Sequence, residues 1–333
     1  MDRMAGKIYG ARQNKSMSDL NRRRFLVKTA QVLPLGLIGS QAVLGEEPVV
    51  ATDCHTHFYD PTRVGGVPWP PSSEKRLYRQ VFPSDFAKVA GPCGVGQTLV
   101  VEASPLVTDN DWVLNLASKN RNLVGLIGHL DPGSASFETG LARLVANPLF
   151  RGIRVSGEDV GKLINTAGLA DLKRLAGAGL TLDLNAGIET LSTAGELAKR
   201  MPELKMVINH LTNLSIDGKQ PPAAWSRAIE AAARHPNIWL KVSGLVEGSG
   251  RSDGTAPSDP SYYQPVLDTI WEHFGTKRLI FGSNWPVSEL FAPYATVHAI
   301  VRGYFEHRGA EALDNVFARN GMVAYGWKTR SRP

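Results

Sequence analysis

Side chains able to do acid–base or metal chemistry fall at a few points of the 333-residue sequence, each closing an apolar run. The first is Asp53-Cys54-His55-Thr56-His57. In an extended strand, alternation sends Asp53, His55 and His57 to one face and Cys54 and Thr56 to the other. Two imidazoles at i and i+2 then reach a common centre, which suits holding a divalent ion or polarising a carbonyl. Glu102, Arg154, His210 and the segment Ser283-Asn284-Trp285-Pro286 close other apolar runs. A lone histidine is most often a hydrogen-bonded structural group, but three converging at the ends of two runs mark a site.

Positioning these groups takes a set of strands. Eight short β-branched or apolar runs occur, at residues 49–58, 97–103, 123–130, 150–155, 180–185, 205–210, 238–243 and 278–283. Stretches of helical period lie between them at 111–119, 137–145, 169–176, 193–200, 223–234 and 265–274, with another at 296–306. This alternation predicts a single α/β domain, a (β/α)8 TIM barrel whose site forms at the C-terminal strand ends. The first connection, 59–96, is long and rich in proline and aromatic residues, and predicts an ordered functional loop with a short helix at 84–89. Residues 311–325 predict a last helix on the outside of the barrel. No repeat or low-complexity linker divides 46–333, which reads as one domain.

The formal charge of +6 does not point to nucleic acid, because residues 1–45 carry all of it, with 8 Lys/Arg against 2 Asp. The rest of the chain is formally neutral, with 29 basic and 29 acidic side chains. Within 1–45, Arg22-Arg23-Arg24-Phe25-Leu26 precedes a weakly apolar stretch broken by Pro34, Gly36 and Gly39, then Ser40-Gln41-Ala42. The segment resembles a twin-arginine export signal, and its apolar part is short of the ~20 residues a membrane-spanning helix needs. Residues 1–45 therefore read as a removable signal region, with Met17 an alternative start, and the mature chain as periplasmic or extracellular. Two cysteines, Cys54 and Cys93, make no disulfide scaffold, and Cys54 reads as a buried free thiol. The expected partner is a small molecule, with no nucleic acid and no stable membrane span; a homo-oligomer is left open.

The motifs Asp53-Cys54-His55-Thr56-His57-Phe58, Arg151-Gly152-Ile153-Arg154, Val207-Ile208-Asn209-His210, Lys241-Val242-Ser243-Gly244-Leu245 and Phe281-Gly282-Ser283-Asn284-Trp285-Pro286 resemble the amidohydrolase-related family. They are most similar to its sugar-lactone and dicarboxylate-lactone hydrolase branch. The resemblance implies a TIM barrel of the metallo-dependent hydrolase type that opens an ester-like bond with water. It also implies metal ligation by His55, His57 and His210, with zinc or manganese as the ion, although members of the lactonase branch act with no tightly held metal. One position departs from the pattern: Asn284 stands where the family commonly has the Asp that serves as ligand or base. An amide has no useful basicity near neutral pH.

The resulting expectation is hydrolysis of a lactone or related ester of a small sugar acid or carboxylic acid. His55 and His57 polarise the carbonyl, His210 places or deprotonates water, Asn284 orients water or substrate, and Arg154 and Glu102 bind substrate polar groups. Trp69, Tyr78 and Trp285 wall the mouth. The replacement base is left among His210, His55, Asp53, Glu102 and Glu289. Two rivals remain: a metal-dependent decarboxylase or hydratase of the same superfamily, and a ligand-binding barrel that lost catalysis with Asn284. The export reading carries its own test: replacing Arg22 and Arg23 together by Lys leaves the chain uncleaved in the cytosolic fraction, and unchanged export would sink it.

Overall fold

The computed structural model describes residues 50–164 and 168–328, so the export-signal reading of residues 1–45 lies outside the described residues. All eight apolar runs are strands: β1 (Ala51–Thr56), β2 (Val95–Val101), β3 (Leu123–Gly128), β4 (Phe150–Ser156), β5 (Thr181–Asn185), β6 (Lys205–Ile208), β7 (Ile238–Val242) and β8 (Leu279–Phe281). They form one sheet in chain order, each strand parallel to the next, with helices between them. This is the TIM barrel expected from the alternation of runs. Outward residues such as Leu182, Leu184, Met206, Ile208, Leu240 and Val242 pack under the helices in one continuous apolar layer.

The ring closes past the ends of the strands proper. The Asn284 N–H donates to the His55 carbonyl and the His57 N–H to the Trp285 carbonyl, both at 2.9 Å. Asp53 clamps the same seam. Its Oδ1 accepts from the N–H groups of His55 (3.0 Å) and Ser283 (2.9 Å), and its Oδ2 from the Tyr294 hydroxyl (3.1 Å) on the helix Tyr294–Glu306. This corrects the alternation expected for the first strand. A register shift between Asp53 and Thr56 turns Asp53 away from the imidazoles and leaves Cys54, a free buried thiol, in the interior cluster with Leu99, Val101 and Ile280.

The C-terminal segment also departs from expectation. The helix Ala310–Asp314 passes through a π-helical turn, Asn315–Arg319, into the helix Asn320–Tyr325, and its end enters the barrel rather than lying outside it. Ala324, Tyr325 and Trp327 join the interior cluster. The Ala324, Val323 and Gly326 carbonyls accept from Thr181, Lys205 and Arg151, which lie at the starts of β5, β6 and β4, so this segment plugs the N-terminal end. The long first connection is ordered as expected. Tyr59 pairs with Val81, and the helix Pro83–Ala90 is capped by Asp85, which accepts from the Phe82 N–H at 3.1 Å.

Burial pushes the Asp53 carboxyl up to about 6 against its four hydrogen-bonding contributions. Asp53→Ala strands three buried donors and should destabilise the fold by roughly 3 kcal/mol or more. Asp53→Asn keeps an acceptor for both backbone N–H groups and should cost much less. Chemical denaturation of the two variants checks this, and equal losses would contradict the clamp.

Candidate active site

His55 is fully buried at the centre of the C-terminal end of the barrel, where Gly282 makes room for it: a Cβ at 282 would stand 2.7 Å from the His55 Cβ. Lys241 of β7 lies behind the ring. Its Nζ donates to Asp183 Oδ2 at 2.8 Å and is 3.2 Å from His55 Nδ1, with Lys241 and Asp183 both fully buried. An ammonium has donors only, so Nδ1 of His55 accepts and the ring proton sits on Nε2. That Nε2 is buried and has no partner. Burial, then the Lys241 charge, holds the imidazole well below its usual pKa, so His55 is neutral and presents one N–H donor.

His57 has the opposite polarity. Its Nδ1 is 3.0 Å from the Val101 carbonyl, which only accepts, so Nδ1 carries the proton and Nε2 a lone pair. Burial and Arg154 lower its pKa to about 3. Nε2 lies 3.2 Å from Asn284 Oδ1, while Asn284 Nδ2 donates to Glu247 Oε1 at 2.9 Å. Two acceptors side by side are satisfied by a water or a substrate hydroxyl. Asn284 has φ 60°, a left-handed conformation that asparagine tolerates better than most residues.

His210 completes the cluster, its ring centroid 4.3 Å from that of His55; the His55 and His57 centroids are 5.0 Å apart. It opens a left-handed turn in which His210, Leu211, Thr212 and Asn213 all have φ of 50–58°. Such backbone costs about 1–2 kcal/mol per residue and persists only where surroundings enforce it. Here the Trp225 indole N–H donates to the Leu211 carbonyl and Thr212 Oγ1, Asn213 Nδ2 to the Ala186 carbonyl, and the His210 N–H to Ser243 Oγ. Ser243 Oγ also lies 3.0 Å from His210 Nδ1.

Arg154 and Glu102 face a cavity of about 750 Å³, lined also by Trp69, His129, Asp131 and Ser156. Arg154 donates from Nε to Glu102 Oε1 (3.1 Å) and from Nη2 to the Glu102 carbonyl (2.9 Å). His129 bridges Glu102 and Asp131 at 3.0 and 3.1 Å. Burial opposes its protonation, but the two carboxylates outweigh burial and raise its pKa. Trp69 links cavity and cluster, its ring 5.8 Å from that of His57. A shallower hollow beside Asp111 and Arg143 lies away from the strand ends.

Trp285 does not wall the mouth. It is 1% exposed, packs between Phe58 and Phe86, and donates to Glu289 Oε1 at 2.7 Å. Glu289 is further engaged by Arg79, and Tyr78 is an exposed side chain outside the cavity lining. Asp183, Glu247, His129 and Asp131 went unread in the sequence, and Lys241 was read only as part of a motif, with no role. Glu247 sits on the turn Leu245–Gly248 after β7, and its Oε2 is buried with no partner. Burial pushes its carboxyl up to about 7. The only sequence signal was a lysine and an aspartate at interior positions of apolar strands. Gly282→Ala should cost about 1–3 kcal/mol, as overpacking does. Denaturant midpoints test it, and a neutral result would show that His55 is free to move.

Comparison with known proteins fits this geometry. The amidohydrolase family model matches residues 52–320. An L-fucono-1,5-lactonase of Burkholderia ambifaria is 33% identical over 246 residues, covering 72% of this chain and 81% of that protein. An L-fucono-1,5-lactonase of Burkholderia multivorans is 25% identical over 265 residues, covering 77% and 88%. Among solved structures, an amidohydrolase from Burkholderia multivorans with bound HEPES superposes with a TM-score of 0.76 at 22% identity, covering 84% of this chain and all of that one. The same protein with bound zinc gives 0.75 at the same identity and coverage. Both share the fold.

The residues present here do not fit a zinc ion held by the three histidines. His55 Nε2 carries a proton and cannot ligate, a buried ammonium stands behind the ring, and His57, His210 and Asn284 are neutral. Among the described residues, no three His, Cys, Asp or Glu side chains form a metal-holding group. The match over residues 52–320, the barrel and the strand-end histidines agree: the chain belongs to the amidohydrolase family.

Proposed function

We propose that this amidohydrolase opens the lactone of a small sugar acid by attack of water, with no metal in the reaction. The observation that carries the reading is the buried, unpartnered N–H of His55, whose ring lies 5.0 Å from that of His57, itself 5.8 Å from the Trp69 ring that lines a cavity of polar side chains. A lactone carbonyl oxygen accepts that hydrogen bond. As the carbonyl carbon becomes tetrahedral, negative charge grows on the oxygen, and the Lys241 ammonium behind the imidazole strengthens the donor as it does so. The donor is preformed and dry, so little reorganisation is needed. Two relatives named as L-fucono-1,5-lactonases support the substrate class.

The remaining groups suit a hydroxylated ring. Arg154 donates, Glu102 and Asp131 accept, and Trp69 offers an apolar face to ring C–H groups. His57 Nε2 and Asn284 Oδ1 accept hydrogens from water or a substrate hydroxyl. The open binding edge belongs to Arg154, whose guanidinium is already fixed by Glu102 and loses little freedom on binding.

The test is hydrolysis of L-fucono-1,5-lactone and a panel of other 1,5- and 1,4-aldonolactones, with and without chelator. The protein should hydrolyse at least one, chelator should leave the rate unchanged, and His55→Ala should lower kcat by about 100-fold or more. Arg154→Met should act mainly on KM. Inactivity on the whole panel sinks the lactonase reading, and loss of activity to chelator sinks the metal-free mechanism.

A further inference from the structure

The barrel has a carbonyl-polarising group but lacks the family's carboxylate at position 284, and the carboxyl groups near the cluster can be taken in turn. Asp53 is committed to the β1–β8 seam. Asp183 is neutralised by Lys241 and also accepts from the Tyr325 hydroxyl at 3.0 Å. Glu102 is held by Arg154 and His129, and Glu289 by Trp285 and Arg79. Among the histidines, His55 is a donor, His57 a very weak base, and burial followed by the Lys241 charge holds His210 well below its usual range.

Glu247 is different. One oxygen accepts from the Asn284 amide, on the side of Asn284 away from His57, and the other is buried and unpartnered. We propose that Glu247 is the general base of this enzyme, a carboxylate that has moved from the end of β8 to the turn after β7, with Asn284 retained to hold it. The proposal rests on the hydrolase reading.

Glu247 Oε2 takes a proton from water while the water oxygen bonds to the lactone carbonyl carbon. The carbonyl π pair moves to its oxygen, where the His55 N–H holds it. The second water hydrogen stays on the attacking oxygen. Collapse of the tetrahedral intermediate breaks the ring C–O bond, and the leaving alkoxide takes the proton from the Glu247 carboxyl. The product is the open hydroxy acid, and Glu247 is again a carboxylate.

The groups around Glu247 are compatible with this. Tyr263, on the turn before the helix Gln264–Phe274, feels its charge; Arg251 acts on the same phenol; and His57 lies beyond the Asn284 amide. None of these pairs with Glu247, and burial alone lifts its carboxyl to about 7, where a base works best. A carboxyl raised in the folded state stabilises the fold below its ordinary value of 4.5, and that contribution is lost as pH rises through about 7.

The experiment uses the full chain and an aldonolactone that the wild type hydrolyses, L-fucono-1,5-lactone first. Wild-type kcat/KM should fall as pH drops below about 7. Glu247→Gln should lower kcat by about 100-fold or more, lose that acid limb, and melt higher than wild type at pH 8. Adding Asn284→Asp to Glu247→Gln returns the carboxylate to β8 and should recover at least about 10-fold of the loss, which a merely structural defect would not allow. Retention of wild-type rate and acid limb by Glu247→Gln overturns the proposal, as does a loss that Asn284→Asp leaves wholly unrepaired. A wild type inactive on every lactone overturns the hydrolase reading itself and the base with it.

Discussion

The seam between β8 and β1 governs the rest of the site. A parallel barrel must join its last strand to its first, and here the joining hydrogen bonds run through His55, His57, Asn284 and Trp285 themselves. Side chains carried on a seam are fixed by the closure of the whole ring, with far less freedom than side chains on loops. Asp53 reinforces the same point from outside by tying the backbones of His55 and Ser283 to Tyr294. Gly282 allows the close approach that this requires. The first-strand pair and the last-strand amide are thus positioned by one structural event.

Behind the seam lies a buried ion pair whose presence stability alone does not explain. Pairs such as Lys241–Asp183 seldom improve on apolar residues of equal volume, because desolvation consumes most of their attraction. What the pair does is set a tautomer. With its proton on Nε2, His55 is an electrophilic donor; with Nδ1 protonated it would be a metal ligand of the kind that fills the zinc sites of other proteins. Tyr325 extends the chain of contacts, since its hydroxyl donates to Asp183 from the plug at the opposite end of the barrel. The C-terminal helix and the catalytic face are therefore connected through three hydrogen-bonded side chains.

The strands were legible in the sequence because each is a short apolar run between helical stretches, and burial in a barrel imposes that pattern strongly. His55, His57, His210, Asn284, Arg154 and Glu102 were legible because polar groups closing apolar runs stand out. Local pattern failed where long-range contacts decide. The register shift that turns Asp53 outward depends on Ser283 and Tyr294, more than 200 residues away. The inward course of the C-terminal segment depends on Gly321, where a Cβ would strike Trp327 and Cys54. Trp285 looked like a mouth residue because it adjoins Asn284, yet its neighbours Phe58 and Phe86 come from distant segments. Glu247 had no local signature at all, since its partner lies 37 residues on.

Glu247 and Asn284 make sense only as a pair. A second carboxylate at 284 would place two negative charges about 3 Å apart in a half-buried site, and one would have to bind a proton. The two would then titrate jointly, with apparent pKa values belonging to neither alone. An amide at 284 removes that conflict while keeping size, the left-handed backbone and a donor aimed at Glu247. Asparagine here is thus the residue a carboxylate at 247 requires, so the loss of an acid at the end of β8 does not by itself imply a barrel without chemistry.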